Sequence, residues 1–154
     1  MISGFEKPPF LLEYLEGLPV AYHFYKDEEH QMQLMGDILR NLFSEKLPYN
    51  ELVILSPKKF ESTCLKSFSV HQIKEIKTIN EISGTQNFCC FATIQSFKGL
   101  ESNYVLITDI EELSSELSKS LMYVGMSRAR YGLILLISES KHNQYNEILK
   151  NKFR

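Results

Sequence analysis

Nowhere in the 154 residues is there an apolar run approaching the roughly 20 needed to span a bilayer as a helix. Met1 to Gly17 carries acidic residues that do not suit a secretory leader, so a soluble, cytoplasmic chain is expected, with no membrane partner. Cysteine is scarce. Cys64, Cys89 and Cys90 show no metal-ligand spacing, and adjacent Cys89 and Cys90 in a strand would point to opposite faces. That pattern argues against a disulfide framework or a bound metal and suits a reducing compartment. Charge of one sign is lacking too. With 17 basic residues against 19 acidic ones and a net charge of −2, any contact with nucleic acid has to come from a local patch. Finally, no GxxxxGK(S/T) segment exists anywhere, so the chain has no phosphate loop of its own.

What is present suits one domain. A chain of this length with 44% hydrophobic residues can bury roughly 70% of its unfolded surface. Residues 1–19 hold three of the five prolines and read as a connecting segment, with a short helix at Phe10 to Leu15. Residues 20–154 form the domain. Val20 to Tyr25 alternates in polarity and is rich in aromatics, as a strand is, and Asp27 is placed to cap a helix. From Glu28 to Ser44, Met32, Met35, Ile38, Leu39, Leu42 and Phe43 recur at helical spacing, with Glu28, Glu29, Gln33, Asp37 and Arg40 on the other face. Both methionines read as core filler.

Leu52 to Leu55 is a short apolar strand that stops at Ser56-Pro57, because proline cannot continue an interior ladder. Lys58 to Phe68 gives a second helical pattern with Phe60, Cys64, Leu65 and Phe68 inward. Lys58 and Lys59 at its start are either an anion site on a helix N-terminus or two solvated lysines. Ile73 to Ile79 alternates with period two and fits an edge strand, followed by a turn over Asn80 to Asn87. Asn103 to Thr108 is again strand-like. The acids after it, Asp109, Glu111 and Glu112, imitate a magnesium-binding Walker B element, but the missing phosphate loop deprives such a metal of its nucleotide. Tyr131 to Ser138 is the last strand, and Lys141 to Lys150 a polar helix. Strands alternate with helices, which predicts a mainly parallel α/β sheet.

Two stretches carry the chemistry. Thr93-Ile-Gln-Ser-Phe-Lys-Gly-Leu-Glu101 follows the buried strand pattern of Phe88 to Ile94, and Lys98-Gly99 turns the chain. Leu121-Met-Tyr-Val-Gly-Met-Ser-Arg-Ala-Arg130 closes a helical pattern in which Leu113, Leu117, Leu121 and Val124 share one side, with Arg128 and Arg130 at its end. An arginine held at a helix end beside Lys98 and Glu101 is what phosphate chemistry needs, because a guanidinium stays charged and presents a planar fork of donors. The same arginines could instead simply complement the helix macrodipole.

The wording of these stretches resembles motifs V and VI of superfamily 1 DNA helicases of the UvrD/Rep type, written T-hydrophobic-H-x-x-K-G-L-E and L-hydrophobic-Y-V-G-hydrophobic-T-R-A-R. Two such motifs in this order, roughly 25 residues apart, are a specific signal. The resemblance implies a RecA-like (P-loop NTPase-type) three-layer domain, the second motor domain of the family, extending over Val20 to Ser138. By that likeness Arg128 would be an arginine finger, Lys98 would approach the terminal phosphates, Glu101 would hold the ribose hydroxyl and Gly99 would permit the tight turn between them. Thr93 and Gln95 would contact the backbone of single-stranded DNA, with glutamine standing where the family has histidine. Where the family has an adenine-stacking tyrosine and a phosphate-binding arginine, this chain has Ser56 and Pro57, and Lys58 substitutes in charge without the fork. No room exists for the large subdomain inserted before motif V in the best-known members.

The resemblance further implies ATP with Mg2+, the metal held mainly by an N-terminal RecA-like domain bearing the Walker A and B motifs, in the same polypeptide. The function implied is the C-terminal motor domain of an ATP-dependent DNA helicase or translocase, inactive alone. The competing reading is a free-standing, non-hydrolysing module that binds a protein partner or single-stranded DNA.

Overall fold

The computed structural model describes residues 19–67, 76–78 and 89–141. The expected connecting segment up to residue 18, the turn over Asn80 to Asn87 and nearly all of the expected helix from Lys141 lie outside them.

Among the described residues six strands, all parallel to their neighbours, make one sheet in the order β1-β6-β5-β2-β4-β3. They are β1 (Val20–Tyr25), β2 (Leu52–Ser56), β3 (Ile76–Thr78), β4 (Cys89–Thr93), β5 (Ser102–Ile110) and β6 (Ala129–Ser138). The central strands are buried on both faces, as expected of uninterrupted Leu, Ile and Val runs: every residue of Leu52 to Ser56 and of Gly132 to Ile137 is buried. Ile76 to Thr78 occupies one sheet edge, where the period-two pattern puts it.

Each face of the sheet has its own core. One holds Val53, Leu55, Ile94, Val105, Ile107, Leu133 and Leu135 with Met122 and Met126 of α2 (Glu116–Met126). The other holds Ile54, Phe91, Leu106, Ile134 and Leu136 with Met35, Ile38 and Leu39 of α1 (Glu28–Ser44). Helix, sheet and helix give the three layers of the expected α/β architecture. Cys89 joins the second core and Cys90 packs against the first, so the adjacent cysteines do face opposite ways.

Helix α1 forms over the residues that its periodicity indicates. Asp27 accepts a hydrogen bond from the His30 amide at 2.8 Å, capping it, and Glu28 and Glu29 complement its dipole in the first turn. Two other expectations are corrected. Lys58 to Phe68 is not one helix: Phe60–Ser62 and Cys64–Ser67 are separate 3-10 turns, and Phe68 lies outside the described residues. Thr63 divides them. Its hydroxyl donates to the Phe60 carbonyl at 2.8 Å and accepts from the Leu65 amide at 3.2 Å, replacing helical bonding with side-chain bonding. Lys58 and Lys59 therefore do not stand at an α-helix N-terminus.

The apolar stripe of the second helix is also rotated. Leu113 is buried ahead of the helix and Leu121 and Val124 pack against the core half-buried, but Leu117 is 81% exposed, and the fully buried residues of the helix are Met122, Gly125 and Met126. Gly125 explains the phase. A Cβ there would sit 3.1 Å from both the Ile94 and Ile107 Cδ1 atoms, so only the glycine face lets α2 approach the sheet this closely.

Candidate functional site

The two signature stretches meet where β5 and β6 begin. Ser102 lies opposite Ala129, and the Ser102 amide donates to the Arg128 carbonyl at 2.9 Å. Residues 94–100 fold into a chain of tight turns, with amide bonds from Phe97 to the Thr93 carbonyl at 3.1 Å and from Leu100 to the Phe97 carbonyl at 3.0 Å. Buried Ile94 and Phe97 anchor this loop to the core, which leaves Lys98, Gly99, Leu100 and Glu101 exposed. Gly99 has φ +88°, a left-handed conformation that side chains rarely adopt, and so turns the chain as expected.

Arg128 follows the C-cap of α2. Its Nε donates to the Val124 carbonyl at 3.1 Å and its Nη1 reaches the Leu100 carbonyl at 3.5 Å, spanning helix end and loop. The cation thus does complement the helix C-terminus, and it does so beside the loop of the other stretch. Arg130 departs from the expectation. It does not end the helix but lies on β6, where its Nε donates to Glu101 Oε2 at 2.8 Å. Lys98 has no ion-pair partner among the described residues. The start of β5 and β6 thereby gathers Glu101, Arg128 and Arg130, with Lys98 and Gly99 on the loop leading to it and Glu51, whose carbonyl accepts from Ser102 Oγ at 3.1 Å, at the same edge.

Of the other residues singled out, Thr93 and Lys58 lie at the opposite, carboxyl edge, while Gln95 shares the loop of Lys98, whose amide donates to the Gln95 carbonyl at 3.3 Å. Thr93 ends β4 opposite Ser56 at the end of β2, and the Ile94 amide donates to the Ser56 carbonyl at 3.0 Å. Thr93 is half-buried, and its hydroxyl donates to Ser96 Oγ at 2.8 Å while accepting from the Ser96 amide at 3.1 Å; Gln95 is exposed. Lys58 sits nearby, its amide bonded to Ser56 Oγ at 3.1 Å. Its ammonium is held by Glu111 Oε1 at 2.7 Å, so its charge is matched within the chain. A cavity of about 190 Å3 lies beside this pair, between Pro57-Lys58, the Asp109 to Glu112 segment and Leu121-Met122 of α2.

Asp109 at the end of β5 was invisible as a structural element in the sequence. It has φ +56°, is 4% exposed and sits where the pairing with β6 shifts register between Ile107 and Ile110. Gln31 of α1 clamps it, accepting from its amide at 2.8 Å and donating to Oδ1 at 3.1 Å, while Thr108 Oγ1 donates to Oδ2 at 2.7 Å. Burial pushes this carboxyl above its usual range, against the bonds from Thr108 and Gln31. A carboxylate with both oxygens engaged inward is a clamp between sheet and helix and does not present itself to a metal. Only helix periodicity offered any signal, since Gln31 is a polar residue adjoining the apolar stripe.

The thiols are inert by position. Burial pushes Cys64 and Cys89 well up and Cys90 to about 11, which keeps them protonated. Among the described residues no helix is long and apolar enough to cross a membrane.

Residues 88–136 match the family model of the UvrD-like helicase C-terminal domain, and that span contains both signature stretches. No curated protein matches the chain. Among solved structures, the C-terminal domain of a possible DNA helicase from Lactobacillus plantarum WCFS1 superposes with a TM-score of 0.61 at 17% identity, covering 85% of this chain and 80% of that one. At that identity the likeness is one of fold. The parallel α/β sheet with a helical layer on each face, the matched segment and the two motifs within it make this chain similar to the C-terminal RecA-like domain of UvrD/Rep-type helicases.

Proposed function

We propose that the chain is the C-terminal motor domain of an ATP-dependent DNA helicase or translocase, supplying one wall of an ATP site whose phosphate loop and metal-binding acids belong to an N-terminal RecA-like domain. The observation that carries this reading is the convergence of Lys98, Gly99, Glu101 and Arg128 on the edge where β5 and β6 begin. These residues suit one side of a nucleotide: a cation for the terminal phosphates, a carboxylate for the ribose hydroxyl and a guanidinium for the transferring group. ATP with Mg2+ supplies the phosphoryl group and the metal charge.

Arg128 now spends its donors on two neutral carbonyls. Phosphate oxygens are stronger acceptors for a guanidinium, so closure of the interdomain cleft on ATP would draw it off them onto the γ-phosphate. Charge stabilisation of that kind contributes about 10³ to 10⁵ in rate. Thr93 and Lys58, toward the other edge, and Gln95, on the loop between, are assigned to the backbone of single-stranded DNA. For Lys58 that role requires exchanging Glu111 for a phosphate.

The experiment is ATP hydrolysis by the full-length protein with and without single-stranded DNA, unmodified and as Arg128→Ala. Expected are DNA-stimulated turnover in the first and a loss of at least about 10³-fold in the second, with ATP affinity kept within a few fold. Unchanged hydrolysis in the variant would overturn the finger assignment. A full-length protein that hydrolyses no ATP at all would leave the binding-module reading, which the Lys58-Glu111 pair and the residues Ser56 and Pro57 favour.

A further inference from the structure

We propose that Arg130 is a positioning residue for Glu101, fixing its carboxylate so that the site selects nucleotides by their ribose hydroxyls. This rests on the nucleotide half-site described above and adds a residue to it that has no assigned role. Helix-end placement would have made Arg130 a second cation for phosphate. Instead it lies on β6, and its Nε is committed to Glu101 Oε2 at 2.8 Å.

Glu101 directly precedes Ser102, and Arg130 directly follows Ala129; those two neighbours face each other in the β5-β6 ladder, which shifts register just beyond them before Tyr104 pairs with Gly132. The bond from the Ser102 amide to the Arg128 carbonyl at 2.9 Å pins the same crossing. Backbone freedom is therefore restricted next to each partner, which lowers the ordering cost of the ion pair.

Arg130 engages one carboxylate oxygen and leaves the other, Oε1, with no hydrogen-bond partner among the described residues. A carboxylate oriented through one oxygen with its second oxygen open is an acceptor suited to a hydroxyl. The pair also solves an electrostatic problem. A bare carboxylate beside a triphosphate is repelled by it, and the guanidinium offsets that repulsion without occupying the open oxygen. Both side chains are more than half exposed, 59% and 52%, so the effect belongs to the range of exposed pairs.

The test compares the affinity of the full-length protein for ATP and for 2′,3′-dideoxy-ATP, by displacement of a fluorescent ATP analogue. The unmodified protein is expected to prefer ATP, Glu101→Gln to lose that preference, and Arg130→Gln to weaken it about three- to fivefold. Arg130→Lys keeps the charge but has no Nε at that reach, and is expected to resemble Arg130→Gln. The double variant should be no worse than Glu101→Gln alone, because Arg130 acts through Glu101. A merely structural role would alter both affinities together and leave their ratio intact.

Full discrimination retained by Arg130→Gln, or effects of the two single variants that multiply, would overturn the inference while leaving the half-site standing. An unmodified protein that binds no ATP would overturn both. If it binds ATP without regard to the ribose hydroxyls, this inference and the role of Glu101 fall together, and the Arg128→Ala hydrolysis result still decides the motor reading by itself.

Discussion

Replacing Asp109 by alanine and by asparagine tests the clamp between α1 and β5. In Asp109→Ala the buried Gln31 amide loses its acceptor, a cost of about 1 to 3 kcal/mol for an unsatisfied buried donor. Alanine must also take up φ +56°, a left-handed conformation costing about 1 to 2 kcal/mol for a residue without a local polar side chain. Removing a buried carboxylate relieves part of this, so the net loss expected is about 2 to 4 kcal/mol. Asparagine tolerates the left-handed backbone, keeps Oδ1 for Gln31 and can donate Nδ2 to the Thr108 hydroxyl, which turns to accept. Asp109→Asn should therefore fall within about 1 kcal/mol of the unmodified protein at neutral pH.

Urea unfolding at pH 7 reads both, and with a typical m-value the alanine variant should lose roughly 1 to 2 M in midpoint. The dependence on pH has a definite sign. Burial, the main cause, raises the folded pKa of Asp109 above its unfolded value of 3.8, so the native state holds this proton more tightly. The stability it contributes is complete below about pH 4 and is lost as pH rises through the folded pKa. Asparagine cannot ionise, so the stability of Asp109→Asn relative to the unmodified protein should improve across that window. Alanine and asparagine variants with equal midpoints, or a stability of Asp109→Asn relative to the unmodified protein that falls with rising pH, would refute the clamp and its electrostatics.

Two further outcomes are expected. His23 on β1 has a buried Nε2 with no hydrogen-bond partner among the described residues, and burial holds its pKa below 6.5; the unfolded chain therefore binds more protons, and stability should fall as pH drops below about 6.5. His23→Phe should flatten thermal melts between pH 7 and 5, and an undiminished acid loss would contradict this. A Cβ on Gly132 would meet Tyr104 ring carbons at 2.7 and 2.9 Å, so Gly132→Ala should cost about 1 to 3 kcal/mol, measured by urea unfolding, and much less in a Tyr104→Ser background.

Much of the architecture was legible because it is written in short-range pattern. The apolar spacing of Met35, Ile38 and Leu39, the cap at Asp27 and the runs Leu52 to Leu55 and Leu133 to Ile137 determine their elements through period and composition alone. Where local pattern admitted two solutions, it misled. Phe60, Cys64 and Leu65 fit an α-helix until the Thr63 hydroxyl takes over the backbone bonds, and a leucine stripe on the second helix yields to the close approach at Gly125.

For the candidate site, the sequence by itself, through its resemblance to helicase motifs V and VI, singled out Lys98, Glu101 and Arg128 as the proposed nucleotide contacts, with a glycine where the backbone turns left-handed. Only the tertiary structure decided their partners. The parallel ladder of β5 and β6 brings Glu101 to Arg130 and Leu100 to Arg128, and the packing of α1 on the sheet brings Gln31 to Asp109, across 78 residues of chain. Such pairings depend on strand order and on which helix face lies down. Those are settled by burial summed over the whole core, which no local stretch of sequence contains.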